Sequence, residues 1–481
     1  MFFGILTEMN QGRTMEINPY IFRGYDIRGI AGKDLSAEGV EKIGKAYGTW
    51  LNNNGIKSAV VGSDCRLSSD EYREAIIKGL TSTGIDVFDL GMTLVQIVYY
   101  GQYHFDTKGC VMVSASHNPA EYNGFKLGAD FSKTMDTEEI IEIKDLVYGN
   151  NFIKGEGKVI KDNITETYFA KLLEKVKITK KFKIAADFDN ATASNFFPEL
   201  ASRIGAELFV QNDQIDGSFP NGTPDPTEKH LIERLAKFTV GEKADLGITF
   251  DADGDRLGVT DDKGTIIWND VLVAIFAADV IESNPGAKIV YNALCSKVVE
   301  ETIRSKGGEP IMWQTGHSYI KQKLFEEKAL FAGELSGHFY FVDKFYGHDD
   351  GFYAVLRLLD YLGRKNKPFS ELLKELPLYI SSPEIKVGCP DNVKFDVIKR
   401  ISDEAKKIFK GEKIADIDGI RVDFADAMFI IRASQNGPYV GPKFEAKTPE
   451  RYDEMKKIVA GFLKNAPEMD WSFGVNVDSL K

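Results

Sequence analysis

Three aspartates stand at alternate positions in Asp251-Ala252-Asp253-Gly254-Asp255-Arg256. Carboxylates at i, i+2 and i+4 that converge on one point make a hard, oxygen-rich site suited to Mg²⁺. An EF-hand is excluded: its sixth position must be glycine and is Arg256 here, and strands, not helices, flank the segment. A solvated acidic turn is the plain alternative, but the place directly after an apolar run and the adjoining arginine favour metal. A second segment, Ser114-Ala115-Ser116-His117-Asn118-Pro119, also follows an apolar run. Its proline pushes Asn118 toward extended backbone, so an exposed, shaped loop is expected in place of a helix start. The G-x-S-x-G frame of a hydrolase elbow is missing, and taken alone the segment reads as an ordinary turn with two serines. Lys126, ten residues on, can return to the same mouth.

Gly333-Glu334-Leu335-Ser336-Gly337-His338 offers donors and acceptors between glycines that permit close backbone approach, equipment for sugar hydroxyls; a capped turn would look similar. Arg432-Ala433-Ser434-Gln435-Asn436-Gly437-Pro438 can grip a phosphate through the arginine fork, with Ser434, Asn436 and loop N–H groups as further donors. A polar hairpin loop is the even alternative. The stretch Gly39-Val40-Glu41-Lys42-Ile43-Gly44-Lys45 imitates a phosphate-binding P-loop, but Ala46 stands where Ser or Thr should be and no strand precedes it. Val40, Ile43 and Tyr47 after a Ser36 cap predict an ordinary amphipathic helix.

Each of the four loops follows an expected strand, the position where open α/β sheets bind ligands. Short β-branched runs alternate with helix-length amphipathic stretches in three blocks, which predicts three similar mixed-sheet α/β units. The expected strands are 58–62, 86–90 and 110–113, then 183–188, 207–210 and 246–250, then 289–292, 310–313 and 330–332. Helices are expected over 68–83, 191–204, 228–238, 296–306 and 318–328. Beyond residue 369 a helix over 395–409, a strand-rich stretch over 419–432 and a helix over 449–464 predict an α+β unit. The domains are accordingly set at 16–163, 164–263, 264–368 and 369–481, after a disordered leader over 1–15 in which Met15 could equally be the initiator.

The chain has 481 residues, with 60 Lys and Arg against 72 Asp and Glu, a formal net charge of −12. That balance argues against nucleic acid as a partner, while saying little about the inside of a cleft. No apolar run approaches the length of a membrane span, and the start lacks a basic n-region and secretory pattern. Cys65, Cys110, Cys295 and Cys389 are far apart and form no CxxC pair, which fits a reducing, cytoplasmic setting and neither a disulfide framework nor a zinc site.

The order of the loops, one per unit, resembles the α-D-phosphohexomutase superfamily over about residues 20–462. Ser114 to Pro119 looks like its phosphoserine loop, Asp251 to Arg256 its metal loop, Gly333 to His338 its sugar loop and Arg432 to Pro438 its phosphate loop. Phe22-Arg23-Gly24-Tyr25-Asp26-Ile27-Arg28-Gly29 and Thr315-Gly316-His317-Ser318 agree. Glu334, Ser336, His338 and the Arg-Ala-Ser start of the last loop look most like the phosphomannomutase/phosphoglucomutase group. The resemblance implies a phosphoryl group on Ser116, beside His117, that passes to a hexose 1- or 6-phosphate and gives a hexose 1,6-bisphosphate. It implies Mg²⁺ on Asp251, Asp253, Asp255 and a phosphoserine oxygen, with Arg256, Lys126 and Arg28 as cations. Lys126, His338 and His317 are the candidates for general acid and base.

By the same resemblance Tyr25, Glu334 and Ser336 contact the sugar, and Arg432, Ser434 and Asn436 the phosphate that does not react. Reading only the 3- and 4-hydroxyls admits both glucose and mannose. The implied partners are small hexose phosphates, with no nucleic acid and no membrane, and the chain is expected as a monomer or homodimer. Three departures bear on grip and preference: Gln314 where relatives often carry lysine, Gln435-Asn436-Gly437 in place of Thr-bearing versions, and Gly441-Pro442, expected to interrupt a strand. Phosphoglucosamine mutase is the close rival; a phosphoserine-dependent phosphatase and a non-catalytic sugar-phosphate binder are the more distant ones.

Overall fold

The computed structural model describes residues 17–377, 379–435 and 437–481, so the leader expected over 1–15 lies outside the described residues. Four sheets organise the chain. In the first, Ser58–Ser63 runs parallel between Asp86–Met92 and Gly109–Val113. Parallel neighbours need long crossovers, and helices Ser69–Thr81 and Val95–His104 supply them. Tyr122–Asp130 then returns antiparallel beside Gly109–Val113, with Val113 opposite Phe125, and Ile27–Ile30 pairs along its far side.

The second and third sheets repeat this arrangement. Lys183–Asp187 lies parallel between Glu207–Gln211 and Leu246–Phe250, and Leu257–Asp261 returns antiparallel with Leu257 opposite Phe250. Lys288–Asn292 lies parallel between Glu309–Trp313 and Phe331–Gly333, and Phe339–Phe341 returns with Phe339 opposite Gly333. In the fourth sheet Ile420–Asp423, Ala427–Ala433 and Tyr439–Ala446 are antiparallel neighbours. Helices Lys394–Ile408 and Pro449–Lys464 pack on it through Val397, Ile401, Met455, Val459 and Phe462. Three mixed-sheet α/β units and an α+β unit are thus present, as the alternation of runs predicts.

Two local expectations fail for a shared reason, proline. The helix expected over 191–204 divides into a 3-10 turn, Thr192–Asn195, and the helix Phe197–Arg203, which carries Pro198 in its first turn. Proline lacks the N–H an interior position needs and is tolerated at a helix start. Conversely, Tyr439–Ala446 runs unbroken through Gly441-Pro442. Ile431 lies opposite Pro442 on one side, while the partners on the other stop at Val440 and resume at Glu445. A residue without an N–H is accommodated in that gap.

The second and third units share one continuous core. Asn269–Ser283 is apolar on nearly every face and so must be buried; with Gly351–Lys365 it fills the space between the sheets. Phe250 and Phe352 rings lie 5.0 Å apart and Phe276 meets Phe339 edge-on at 5.0 Å, each pair contributing about 1 kcal/mol beyond its buried area. The stretch that imitates a P-loop lies in helix Ala37–Asn53, capped by Ser36 Oγ, with Val40, Ile43 and Tyr47 buried. No described helix is long and apolar enough to cross a membrane.

Candidate active site

All four candidate loops join two antiparallel neighbours, so both ends of each loop are fixed by a ladder. They converge on one pocket. Ser116 adopts a φ of 50°, an uncommon conformation for a residue with a side chain. Its N–H donates to Ser114 Oγ at 2.8 Å and its Oγ donates to Asp251 Oδ2 at 2.6 Å, with His117 Nδ1 3.3 Å away. The loop is not the exposed turn expected from its proline: Pro119 is exposed, but Ser114, Ala115 and Ser116 are buried. Two arginines draw it inward. Arg66 donates to the carbonyls of Ser116, Asn118, Pro119 and Tyr122. Arg28 donates to Ala115 O and Asn118 Oδ1 at 3.0 Å each, and to Asp26 at 2.8 Å.

Asp251, Asp253 and Asp255 are buried, and each offers an oxygen such that all lie within 4.8 Å of one another. Gly254, at φ 85°, makes the turn between them; a Cβ there would meet Leu94 Cδ2 at 2.7 Å. Lys126 Nζ, carried in on the returning strand, lies 2.5 Å from Asp255 and 2.8 Å from Asp253. Neither Asp253 oxygen nor Asp255 Oδ1 meets a described donor in hydrogen-bond geometry. Lys126 balances one of the three carboxylates, and the buried charge beyond that is costly unless a further cation compensates it, so the donor set fits Mg²⁺. Burial, Asp255 and Asp253 push the Asp251 carboxyl well above its usual range. Burial works to lower the Lys126 ammonium, but Asp253 and Asp255 outweigh it and hold the group protonated.

Arg256 Nε donates to His338 Nε2 at 3.0 Å, and His338 Nδ1 faces Asp349 Oδ2 at 3.0 Å. Asp349 is lowered well below the usual carboxylate range because Lys321, 3.2 Å away, and His338 overcome the effect of burial. Asp255, His338 and Asp349 could also gather around an ion; His338 Nε2 already accepts from Arg256, while Nδ1 faces Asp349 outside hydrogen-bond geometry. His317 opens helix His317–Glu326 and stacks edge-on against Tyr25 at 4.7 Å. Burial and Lys321 keep it neutral. Gly316, at φ 139°, lets the Tyr25 ring approach; a Cβ would meet it at 2.7 Å.

Glu334 is buried, accepting the Gly316 N–H at 3.0 Å and the Tyr340 hydroxyl at 2.9 Å, and burial raises its pKa. Ser336, half-buried, lines the pocket, as do Arg432 and Ser434. Arg432 Nε is held by Asp418 at 2.7 Å, and Ser434 Oγ accepts the Gly437 N–H at 3.1 Å. Asn436 lies outside the described residues. Gln314 does not line the pocket. Sequence reasoning missed Glu384, Lys386 and Tyr439 on the pocket wall, and Asp349 and Arg66 behind it. Arg66 was within reach of the rule that found the loops, because Asp64-Cys65-Arg66 follows Ser58–Ser63 directly.

Fold and pocket define a class first: a multidomain α/β protein whose cleft gathers five cations, a buried serine and a carboxylate triad, the composition of a phosphoryl-transfer site. The phosphoglucomutase/phosphomannomutase α/β/α domains I, II and III match residues 19–154, 166–264 and 268–379. The chain is 36% identical to a phosphomannomutase/phosphoglucomutase of Pseudomonas aeruginosa over 95% of its own length and 98% of the relative's. It is also 36% identical to a phosphoglucomutase of Neisseria gonorrhoeae, over 94% and 98%. A solved phosphoglucomutase/phosphomannomutase family protein from Burkholderia thailandensis superposes with a TM-score of 0.86 at 35% identity, over 95% of this chain and 99% of that one. The chain belongs to the phosphoglucomutase/phosphomannomutase family, within the α-D-phosphohexomutase superfamily.

Proposed function

We propose that the protein interconverts the 1- and 6-phosphates of mannose and glucose through a phosphorylated Ser116 and a hexose 1,6-bisphosphate. As a family member the chain is an isomerase. The observation that carries the reading is the Ser116 Oγ to Asp251 contact at 2.6 Å, which joins the serine of one unit to the carboxylate triad of the next. In the first transfer the bond from phosphorus to Ser116 Oγ breaks as one forms to the free sugar hydroxyl. That hydroxyl's proton passes to a base, and Ser116 regains a proton. The bisphosphate turns in the cleft, and the reverse step returns its other phosphoryl to Ser116. Mg²⁺ on Asp251, Asp253 and Asp255, with a phosphoserine oxygen, supplies charge neutralisation when bound.

Among the candidate proton carriers His338 lines the pocket with Asp349 facing its Nδ1, and it takes the hydroxyl's proton once its Nε2 is released from Arg256. Lys126, held protonated, serves as a cation in place of a base, alongside Arg28 and Arg256; His117 and His317 contribute neutral imidazoles. Tyr25, Glu334 and Ser336 hold the sugar, and Arg432, Ser434 and Asn436 the other phosphate. With the 2-position unread, epimers there are both accepted. Domain cuts near 163, 263 and 368 remain our assignment, although Ile266–Ile267 still pairs with Leu257–Asp261 beyond the second cut. The four cysteines, all free, support a cytoplasmic enzyme.

Intact-mass measurement after incubation with glucose 1,6-bisphosphate tests the carrier. One phosphoryl group is expected on the native chain and none on Ser116→Ala, which also loses turnover. A native chain that never gains the group overturns the mechanism. Coupled assays with mannose 1-phosphate, glucose 1-phosphate and glucosamine 6-phosphate test the sugar; a clear preference for the amino sugar overturns that choice.

A further inference from the structure

The strand Lys386–Gly388 belongs to the fourth sheet, yet the Lys386 side chain crosses to the second unit, where its Nζ lies 3.3 Å from Asp225 Oδ2. Both groups are buried. Asp225 is fixed from its other side: Oδ1 accepts the Thr227 N–H at 3.0 Å and its hydroxyl at 2.7 Å. An ammonium carries three donors, and among the described residues only Asp225 takes one from Lys386 by hydrogen bond. The Tyr439 ring centroid lies 5.8 Å away, and the side chain lines the pocket. A buried ammonium with donors to spare, on the wall of a polar pocket, is built to receive an anion.

Its position selects which anion. Pro226, next to Asp225, packs beside Gly258, two residues past Arg256, where a Cβ would meet it at 2.9 Å, and Ser116, His117, Arg256 and Lys386 line the same pocket. The anchored ammonium therefore stands with the serine and metal loops. Arg432, by contrast, is tied to Asp418, which also takes the Thr315 N–H on the opposite wall. A bisphosphate brings close to four negative charges, and Gln314 carries no charge and does not line the pocket. Lys386 supplies a fifth cation, the second from the fourth sheet after Arg432.

We propose that Lys386 is a phosphoryl-binding residue on the Ser116 side of the pocket, donating to a non-bridging oxygen of the group in transit while Asp225 holds the ammonium in place. The inference rests on the phosphoryl-transfer reading above. Because Lys386 arrives on the fourth sheet and its anchor sits in the second unit, the seam between them must be shut for this cation to be delivered. Closure and charge neutralisation thereby become one event.

The test uses the full chain carrying Ser116→Ala, which binds without transferring, and calorimetric titration with glucose 1,6-bisphosphate and with glucose 1-phosphate. Adding Lys386→Met is expected to weaken the bisphosphate about 10- to 100-fold, the loss of a hydrogen bond to a charged group. The monophosphate, whose one phosphate rests on the Arg432 loop, should change less than about threefold, and Lys386→Arg should restore most of the bisphosphate affinity. Equal losses for both ligands, or no loss for either, overturn the proposal. Should Lys386→Met melt early, Lys386→Gln, which can still donate to Asp225, takes its place with the same expected contrast. No step here requires turnover, so failure of the native chain to phosphorylate Ser116 would refute the mechanism separately from this result.

Discussion

Lys126 and a bound divalent ion answer to the same carboxylates, which makes Lys126→Met informative in an unusual way: metal affinity and turnover should move in opposite directions. With all three carboxylates ionised, as they are when they hold Mg²⁺, one ammonium leaves the native cluster at −2, and removing the ammonium leaves −3. With Mg–O bonds of about 2 Å added to N···O contacts of 2.5 and 2.8 Å, the ammonium and the ion stand about 4 Å apart. A single and a double positive charge at that distance repel by about 8 kcal/mol at an effective dielectric of 20. If rearrangement of the lysine and entering water cancel about five-sixths of this, about 1.4 kcal/mol survives, a factor of about ten. Calorimetric titration of Mg²⁺ into the metal-stripped chains should show Lys126→Met binding at least about tenfold more tightly. Its turnover should meanwhile fall about 100-fold or more, since a cation beside the transferred group is lost. Unchanged or weaker Mg²⁺ binding in a variant with native circular dichroism would refute the shared-carboxylate argument.

Two further outcomes test the scaffold. Burial raises the Asp350 carboxyl to about 7 from an unfolded value near 4, so its stabilising contribution is full below about pH 4 and is lost as pH rises toward 7. Asp350→Asn keeps the helix cap and removes the titration, so its melting temperature relative to the native chain should climb across that window by the equivalent of up to about 4 kcal/mol; a pH-independent difference would contradict it. Arg421 donates from the fourth sheet to the carbonyls of Ala293 and Cys295 in the third unit and is neutralised by Asp423. Arg421→Met strands that buried carboxylate and should cost about 3–5 kcal/mol, with faster limited proteolysis between residues 368 and 390; native resistance would show that the seam is held elsewhere.

The parallel strands were legible because a buried strand needs a β-branched run, and those runs lie within a residue or two of the observed ends, as at Leu246–Phe250. The returning strands were not. Tyr122–Asp130 reads as a mixture because Asn123 turns to Ser68 and Ser69 and Lys126 to the metal loop, while Phe125 and Leu127 fill the core. Functional side chains replaced the alternation that would have announced a strand. Motif residues were found because their neighbours in sequence share the task. Lys386 carries no such mark, since its partner Asp225 lies 161 residues away on another unit. The burial of Ser116 was hidden for the same reason: Arg66 and Arg28, distant in sequence, decide it.

A chain of net charge −12 that handles phosphates must keep its cations where the substrate goes and its acids where they do not repel it. The pocket does this pairwise. Arg28 is held by Asp26, Lys126 by Asp253 and Asp255, Arg256 stands 3.7 Å from Asp251, Lys386 is held by Asp225, and Arg432 by Asp418. Without such partners five cations crowded into one cleft would repel one another and pay heavily for lost hydration. With them, each guanidinium or ammonium is oriented before an anion arrives, and an arginine that spends one edge on its aspartate keeps the other for an oxygen. The acids behind the pocket are therefore part of how it binds anions: replacing Asp26 or Asp418 with Asn, though it adds positive charge overall, should weaken the grip on phosphate by freeing the arginine to wander.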